Sequence, residues 1–216
     1  MPNQSTEDYI KSIYKLQNNR KPVTTSVLAR VLNIGDGSVT DMLKRLSAKK
    51  LIQYKPYKGV LLMESGRRLA IRMVRRHRLW EMFLVQFLGY QWDEIHREAE
   101  RLEHVTSDEL DLRLDRLLGY PKFDPHGDPI PDRHGNIGDD PPAALATFES
   151  GDIVTIVRVM DDPGVLQHAA ELGLHLNQQL AVKKKMKFDG SMKVRVGTKE
   201  YFISREVADA IFGRRS

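Results

Sequence analysis

A proline-rich stretch at residues 119–142 (GYPKFDPHGDPIPDRHGNIGDDPP) cuts this chain into two unlike parts. Six of the ten prolines fall within it. Each fixes φ and lacks a backbone donor, so no regular element can run through the segment. Before it, apolar residues recur at helical spacing. After it come short strand-like runs. The chain is therefore expected to be mainly α with a small β domain, its parts joined by a loop long enough to be a linker or functional. At 216 residues it has room for two or more domains of about 100 residues.

The first sixty residues predict three helices and a hairpin. The first helix starts near Ser5, where Ser5-x-x-Asp8 has the form of a capping box, and sets Tyr9, Ile10, Ile13, Tyr14 and Leu16 on one face; Asn18, Asn19 and Pro22 end it. A second helix spans 25–32, with Val27, Leu28, Val31 and Leu32 at helical spacing. A third runs from about Ser38 to Lys49 and buries Val39, Met42, Leu43 and Leu46. Strand-like runs at 51–54 and 60–63 then flank Lys55-Pro56-Tyr57-Lys58-Gly59. Two short helices joined by a Gly-containing turn and followed by a hairpin make a winged helix-turn-helix, expected over residues 1–64. The outward side of the third helix, with the wing, supplies candidate DNA contacts: Gly37, Ser38, Thr40, Asp41, Lys44, Arg45, Lys49, Tyr57 and Lys58. Small hydroxyls suit base edges, and Lys and Arg suit phosphates.

The net charge of +5 hides a steep gradient. Residues 1–60 carry +7 and 61–91 carry +4, a basic N-terminal part that suits a polyanion; residues 92–149 carry −9, and 150–216 carry +3. No run approaches the ~18 apolar residues of a membrane span, and the N-terminus has no signal-like pattern, so a cytoplasmic protein without a membrane role is expected. The absence of cysteine rules out thiolate ligands and leaves oxygen and imidazole for any metal.

Residues 65–142 predict an Arg-rich helix at 65–89, in which Leu69, Met73, Leu79, Met82 and Phe83 are core candidates. Helices at 92–105 and 107–118 follow, the latter with a capping pattern Thr106-x-x-Glu109. Long apolar helices behind a DNA-binding unit imply a homodimer on a pseudo-palindromic operator. Residues 143–216 read as an SH3-like β-barrel, with strands at 152–160, 179–185, 192–196 and 201–203, a helix at 165–172 and a turn at Gly190-Ser191. His77 and Glu81 stand four apart on one helix. His96, Glu100, Glu103 and His104 share a face of the next. So much acid and imidazole turned into a helix interface needs a compensating cation, whereas the same spacing on a surface is a solvated stripe.

Four segments resemble the diphtheria toxin repressor/manganese transport regulator family of metal-dependent repressors. They are Ser5-Thr6-Glu7-Asp8-Tyr9-Ile10, Arg76-His77-Arg78-Leu79-Trp80-Glu81, the run from Ile95 to Glu109, and Pro125-His126-Gly127-Asp128-Pro129-Ile130-Pro131. The resemblance covers nearly the whole chain, with an SH3-like (FeoA-like) third domain. It implies an activating metal site from Asp8, Glu100, Glu103 and His104, with His77 beside it. It implies a second site from Glu81, Asp124, His126 and Asp161, for which His77, Glu81 and His96 form a competing set. The iron-responsive branch carries methionine and cysteine where Asp8 and Glu100 stand. Hard carboxylates at both positions point to Mn²⁺, with Fe²⁺ as the alternative. Some manganese sensors carry a glutamate at Lys11 for a second, adjacent metal, an arrangement that a cation disfavours. The implied function is a metal-activated repressor of metal-uptake genes. A carboxylate-bridged metalloenzyme would need paired Glu-x-x-His motifs that do not occur here, and an organic effector would want an apolar pocket.

Overall fold

The computed structural model describes residues 3–17, 21–138 and 141–216. The expected helix-ending Asn18 and Asn19 lie outside them. Three helices open the chain: α1 (Gln4–Leu16), α2 (Thr25–Leu32) and α3 (Asp36–Ala48). Strands β1 (Ile52–Lys55) and β2 (Gly59–Leu62) follow and pair antiparallel, so the expected winged helix forms. The α1 cap is not Ser5. Asn3 accepts from the Thr6 backbone N–H and hydroxyl, satisfying the first turn and leaving Asp8 too far into the helix to cap it. α3 begins two residues before the expected Ser38, at Asp36, with Gly35 at its N-cap. Ile10, Ile13, Leu28, Val39, Leu43 and Leu46 are fully buried, together with Leu69, Ala70 and Met73 from the next helix. Val27 and Val31, which share the helical spacing, are exposed.

Helix α4 (Glu64–Leu88) is the spine. Its entry packs so closely on the winged helix that a Cβ at Gly66 would collide with the Leu51 carbonyl oxygen. α5 (His96–Val105) and α6 (Asp108–Leu117) lie against it. Three arginines of the Arg-rich helix are turned inward or half-buried. Arg75 meets Asp111 and Asp115, Arg76 meets Asp108, and Arg78 meets Asp124 and Asp128. Part of the acidic middle is thus the counter-charge of α4. α5 starts later than expected, because Trp92 leaves the helix to pack on the C-terminal core. Ser107, not Thr106, caps α6; the Thr106 hydroxyl instead links Trp80 Nε1 to the Leu102 carbonyl.

The C-terminal part has β3 (Ala143–Ala144), β4 (Ile153–Val159), α7 (Pro163–Glu171), β5 (Gln179–Lys185), β6 (Met192–Val196), β7 (Lys199–Ile203), α8 (Arg205–Ala210) and β8 (Ile211–Arg215). The expected barrel is seen as a six-stranded antiparallel sheet in the order β3-β8-β4-β5-β6-β7, whose outer strands β3 and β7 do not pair among the described residues. Alternating Val154, Ile156, Val182, Met192, Val194 and Ile203 form its core. The proline-rich loop is anchored here. Val159 N–H donates to the His126 carbonyl, and Gly127, at φ 86°, lies so close to the Val157 carbonyl that a Cβ would clash.

Candidate metal centre and nucleic-acid interface

α1 projects Glu7, Asp8 and Lys11 against α5. The Asp8 carboxylate lies 3.0 Å from His104 Nε2, and the Glu7 carboxylate is in hydrogen-bond contact with His104 Nδ1 at 2.8 Å. Asp8, Glu100 and His104 each offer a donor atom within 4.8 Å of the others. Glu103, wholly buried, approaches His104 Nε2 at 3.7 Å. These donors lie in two segments that resemble the family, and they converge from two different packing units. Burial holds the Asp8 carboxyl above its ordinary value, with Glu100 and Glu103 adding to it against the pull of His104. His104 Nε2 is buried and makes no hydrogen bond despite its carboxylate neighbours. Oxygen and imidazole donors gathered around such an atom fit a divalent cation.

His77 does not stand with Asp8. It sits between two further groups: Glu100 and Glu103 on one side, and Glu81, His96 and Asp161 on the other. Its Nε2 lies 3.0 Å from Glu81 and 3.1 Å from His96 Nδ1, and His96 Nδ1 is 3.3 Å from Asp161. Glu81 also belongs to a wholly buried group with Asp124 and His126; Asp161 lies outside it and reaches His126 Nδ1 only at 3.9 Å. The two sets that the sequence leaves in competition therefore meet at one carboxylate. Glu81 Oε1 and His126 Nδ1 are both buried without a hydrogen-bond partner, which again fits a cation.

The charges here lean on one another. Asp161 and Glu81 raise the His96 imidazole to about 9. Burial opposes protonation of His77, yet Glu81 and Glu103 hold it above its usual value. Burial would raise Glu81 and Asp161, but the histidines beside each hold both below the carboxylate range. Asp124, buried and next to Glu81 and Asp128, is pushed up to about 7. Protons and imidazoles thus stand where a divalent ion would put positive charge.

Sequence reasoning missed one participant and read another only as an obstacle to a second, adjacent metal. Glu7 is buried against His104, and Lys11, 4% exposed, reaches Glu100 at 2.8 Å and Glu103 at 2.7 Å. Both occur one turn or less from Asp8 on a face otherwise read as core, and that position was the available signal. His134 and His175 are exposed and belong to none of these groups.

At the other end of the winged helix, Gly37, Ser38, Asp41, Lys44 and Arg45 are exposed on α3, Lys49 is exposed just past its end, and Thr40 is half-buried. The Thr40 hydroxyl is spent on the Asp36 carbonyl, and Asp41 pairs with Lys44 at 3.2 Å. Tyr57 stands fully exposed at the wing tip beside exposed Lys58.

A winged helix joined to a carboxylate–imidazole centre defines a metal-binding protein with a DNA-reading head. The family models agree with each part. Residues 1–60 match the N-terminal DNA binding domain of iron dependent repressors, 63–132 their metal binding and dimerisation domain, and 143–215 the FeoA domain. The chain is 35% identical over 127 residues to the iron-dependent repressor IdeR of Mycobacterium tuberculosis, covering 59% of this chain and 55% of that protein's length. It is 35% identical over 120 residues to the HTH-type transcriptional regulator MntR of Geobacillus kaustophilus, covering 56% and 84%. A solved manganese-dependent transcriptional repressor in complex with manganese superposes with a TM-score of 0.89 at 37% identity, over 98% of this chain and 100% of that one. The chain belongs to the diphtheria toxin repressor/manganese transport regulator family of metal-dependent transcriptional regulators, a family of regulators and not of enzymes.

Proposed function

We propose that this chain is a Mn²⁺-activated, homodimeric repressor of metal-uptake genes that binds a pseudo-palindromic operator. The observation that carries this reading is the meeting of Asp8 on α1 with Glu100 and His104 on α5. Asp8 moves with the winged helix. Glu100, Glu103 and His104 belong to the helical core. These four are the activating ligands, with His77 adjoining them through Glu103. Bound there, the ion supplies the positive charge that lets carboxylates from both units share one place. The protein's part is to orient the donors and to hold α3 in a fixed attitude to the core. Glu81, Asp124, His126 and Asp161 form the second site, with His77 and His96 next to it. Mn²⁺ is favoured over Fe²⁺ because every donor is oxygen or imidazole. Exposed Phe87, Leu88, Val105, Leu112 and Leu117 on α4, α5 and α6 support self-association. In the dimer, two α3 helices reach successive major-groove faces, with the exposed α3 and wing side chains as contacts. No helix among the described residues is long and apolar enough to cross a membrane.

The test is a gel-shift titration with Mn²⁺ and with anaerobic Fe²⁺. Mn²⁺ should tighten operator binding, and Asp8→Ala should abolish the stimulation while sedimentation still shows a dimer. A normal Mn²⁺ response in Asp8→Ala defeats the proposal.

A further inference from the structure

Lys11 holds a position that metal activation by itself does not use. Its side chain lies among the donor groups, almost wholly out of water. Nζ is 2.8 Å from Glu100 Oε2, 2.7 and 2.8 Å from the two Glu103 oxygens, and 3.2 Å from His77 Nδ1. His77, Glu100 and Glu103 are themselves a three-donor group of the kind that could hold a metal ion. Here an ammonium from α1 fills it. Burial would raise the Glu100 carboxyl, but Lys11, with His77 and His96, holds it below its ordinary value.

We propose that Lys11 is a built-in cation that latches the winged helix to the helical core before any metal is bound, and so sets the DNA-binding level of the metal-free protein. Lys11 lies three residues after Asp8, on the same face of α1. The helix therefore meets α5 at two points side by side: Asp8 against His104, and Lys11 against Glu100 and Glu103. The second joint carries its own positive charge and closes without an ion. Asp8, Glu100 and Glu103 then do not simply repel one another in the metal-free chain, since one ammonium bridges two of the three carboxylates and cancels one unit of their charge. A ligand shifts an equilibrium only by its differential affinity for the two states, so a latch closed in advance narrows the step left for the metal. Lys11 is a positioning residue: it acts on DNA through the attitude of α1 and touches no base or phosphate.

The inference rests on the metal-activated reading for its DNA consequence, but the latch itself is testable without metal. In chelator-treated protein, Lys11→Met keeps the apolar stem and removes the charge. Amide exchange across α1 should then speed up relative to the unaltered chain. Metal-free operator affinity should fall by about tenfold, while affinity at saturating Mn²⁺ stays near the unaltered value, so the activation ratio widens by about that factor. Lys11→Arg, which keeps the charge, should restore the narrower ratio. Should the methionine variant fail to fold, Lys11→Gln carries the same expectation, with a neutral donor in place of the ammonium. Equal loss of affinity in both metal states would mark a merely structural role and overturn the proposal, as would unchanged α1 exchange. Absence of any Mn²⁺ response in the unaltered protein would instead remove the proposed function; the exchange comparison between the two metal-free chains would still decide the latch.

Discussion

Asp124 is a carboxylate nearly out of water, with Glu81 and Asp128 as neighbours and Arg78 at 3.3 Å on one oxygen. Its other oxygen accepts the His126 and Asp128 backbone N–H groups at 2.9 Å each. Burial and the like charges push its pKa up to about 7, well above the ordinary aspartate value of about 3.9. The folded chain therefore binds more protons than the unfolded one between those two pH values. The contribution of Asp124 to stability is greatest at low pH and is lost as pH rises through about 7. Asp124→Asn keeps the oxygen that accepts both N–H groups and removes the charge. In metal-free protein the variant should melt several degrees higher at about pH 8, with the gap closing toward about pH 4, given that ~1 kcal/mol moves Tm by ~2–4 °C at this size. Scanning calorimetry in chelator across that range checks it; a gap that does not change with pH would show that the charge is not what strains the site. With Mn²⁺ present the order should reverse, because the substitution removes a donor from the proposed second site.

The elements carry the site by where they end and how closely they approach. The proline-rich loop is held to β4 through Gly127, which has no room for a side chain and a backbone that favours glycine. Gly127→Ala should therefore lift the loop and move Asp124 and His126 together, while leaving Asp8, Glu100 and His104 in place. The expected result is one fewer Mn²⁺ bound per chain by equilibrium dialysis, with metal-stimulated operator binding largely kept. Loss of all metal binding would mean that the two groups are not separable. Arg45 on α3 and Lys49 at its C-terminal end are exposed and unpaired with acid among the described residues. Replacing either by Ala should reduce the slope of log K against log salt by about 0.9 for each phosphate the side chain no longer neutralises, weakening all sequences alike. An unchanged slope would place the residue off the DNA.

Much of this was legible in sequence, for reasons specific to each element. The helices of the winged unit and α4 announced themselves through buried residues at helical spacing, and β6 through strict alternation. The caps were displaced because Asn3 and Ser107 serve where neighbouring hydroxyls fit the pattern equally well. β3, α8 and β8 went unread, since each is short and β8 carries two terminal arginines and a glycine in place of an alternating pattern. Among the site residues, spacing grouped those on one helix. It could not say that His77 meets Glu100 and Glu103 on one side and Glu81, His96 and Asp161 on the other, or that Glu81 belongs to two groups at once, because those facts depend on how separate elements pack together. The inward turn of Arg75 and Arg76 was hidden for the same reason: a charge run reads as solvent-facing until its acids are found on a neighbouring helix.

At the scale of the molecule, two main cores are built independently, one in the winged helix and the entry of α4, the other in the C-terminal sheet. The donor groups lie where other elements meet them. Asp8 crosses from the winged unit to α5, and Asp161 crosses from the C-terminal unit to His96. A ligand held across a contact between units can bias their relative attitude, and if metal favours the DNA-binding attitude, DNA must favour the metal-bound one. Linkage makes the two effects equal: the factor by which saturating Mn²⁺ tightens the operator is the factor by which saturating operator tightens Mn²⁺. The comparison needs four isotherms on the full-length protein, two for operator with and without Mn²⁺ and two for Mn²⁺ with and without operator duplex. Asp8→Ala should bring both factors to about one. Asp161→Ala, which removes a donor supplied by the C-terminal unit, should lower the number of ions bound and leave most of the coupling intact. If the Asp161 substitution erases the coupling as fully as the Asp8 one does, the C-terminal contact and not the α1–α5 contact is where metal acts on the reading head.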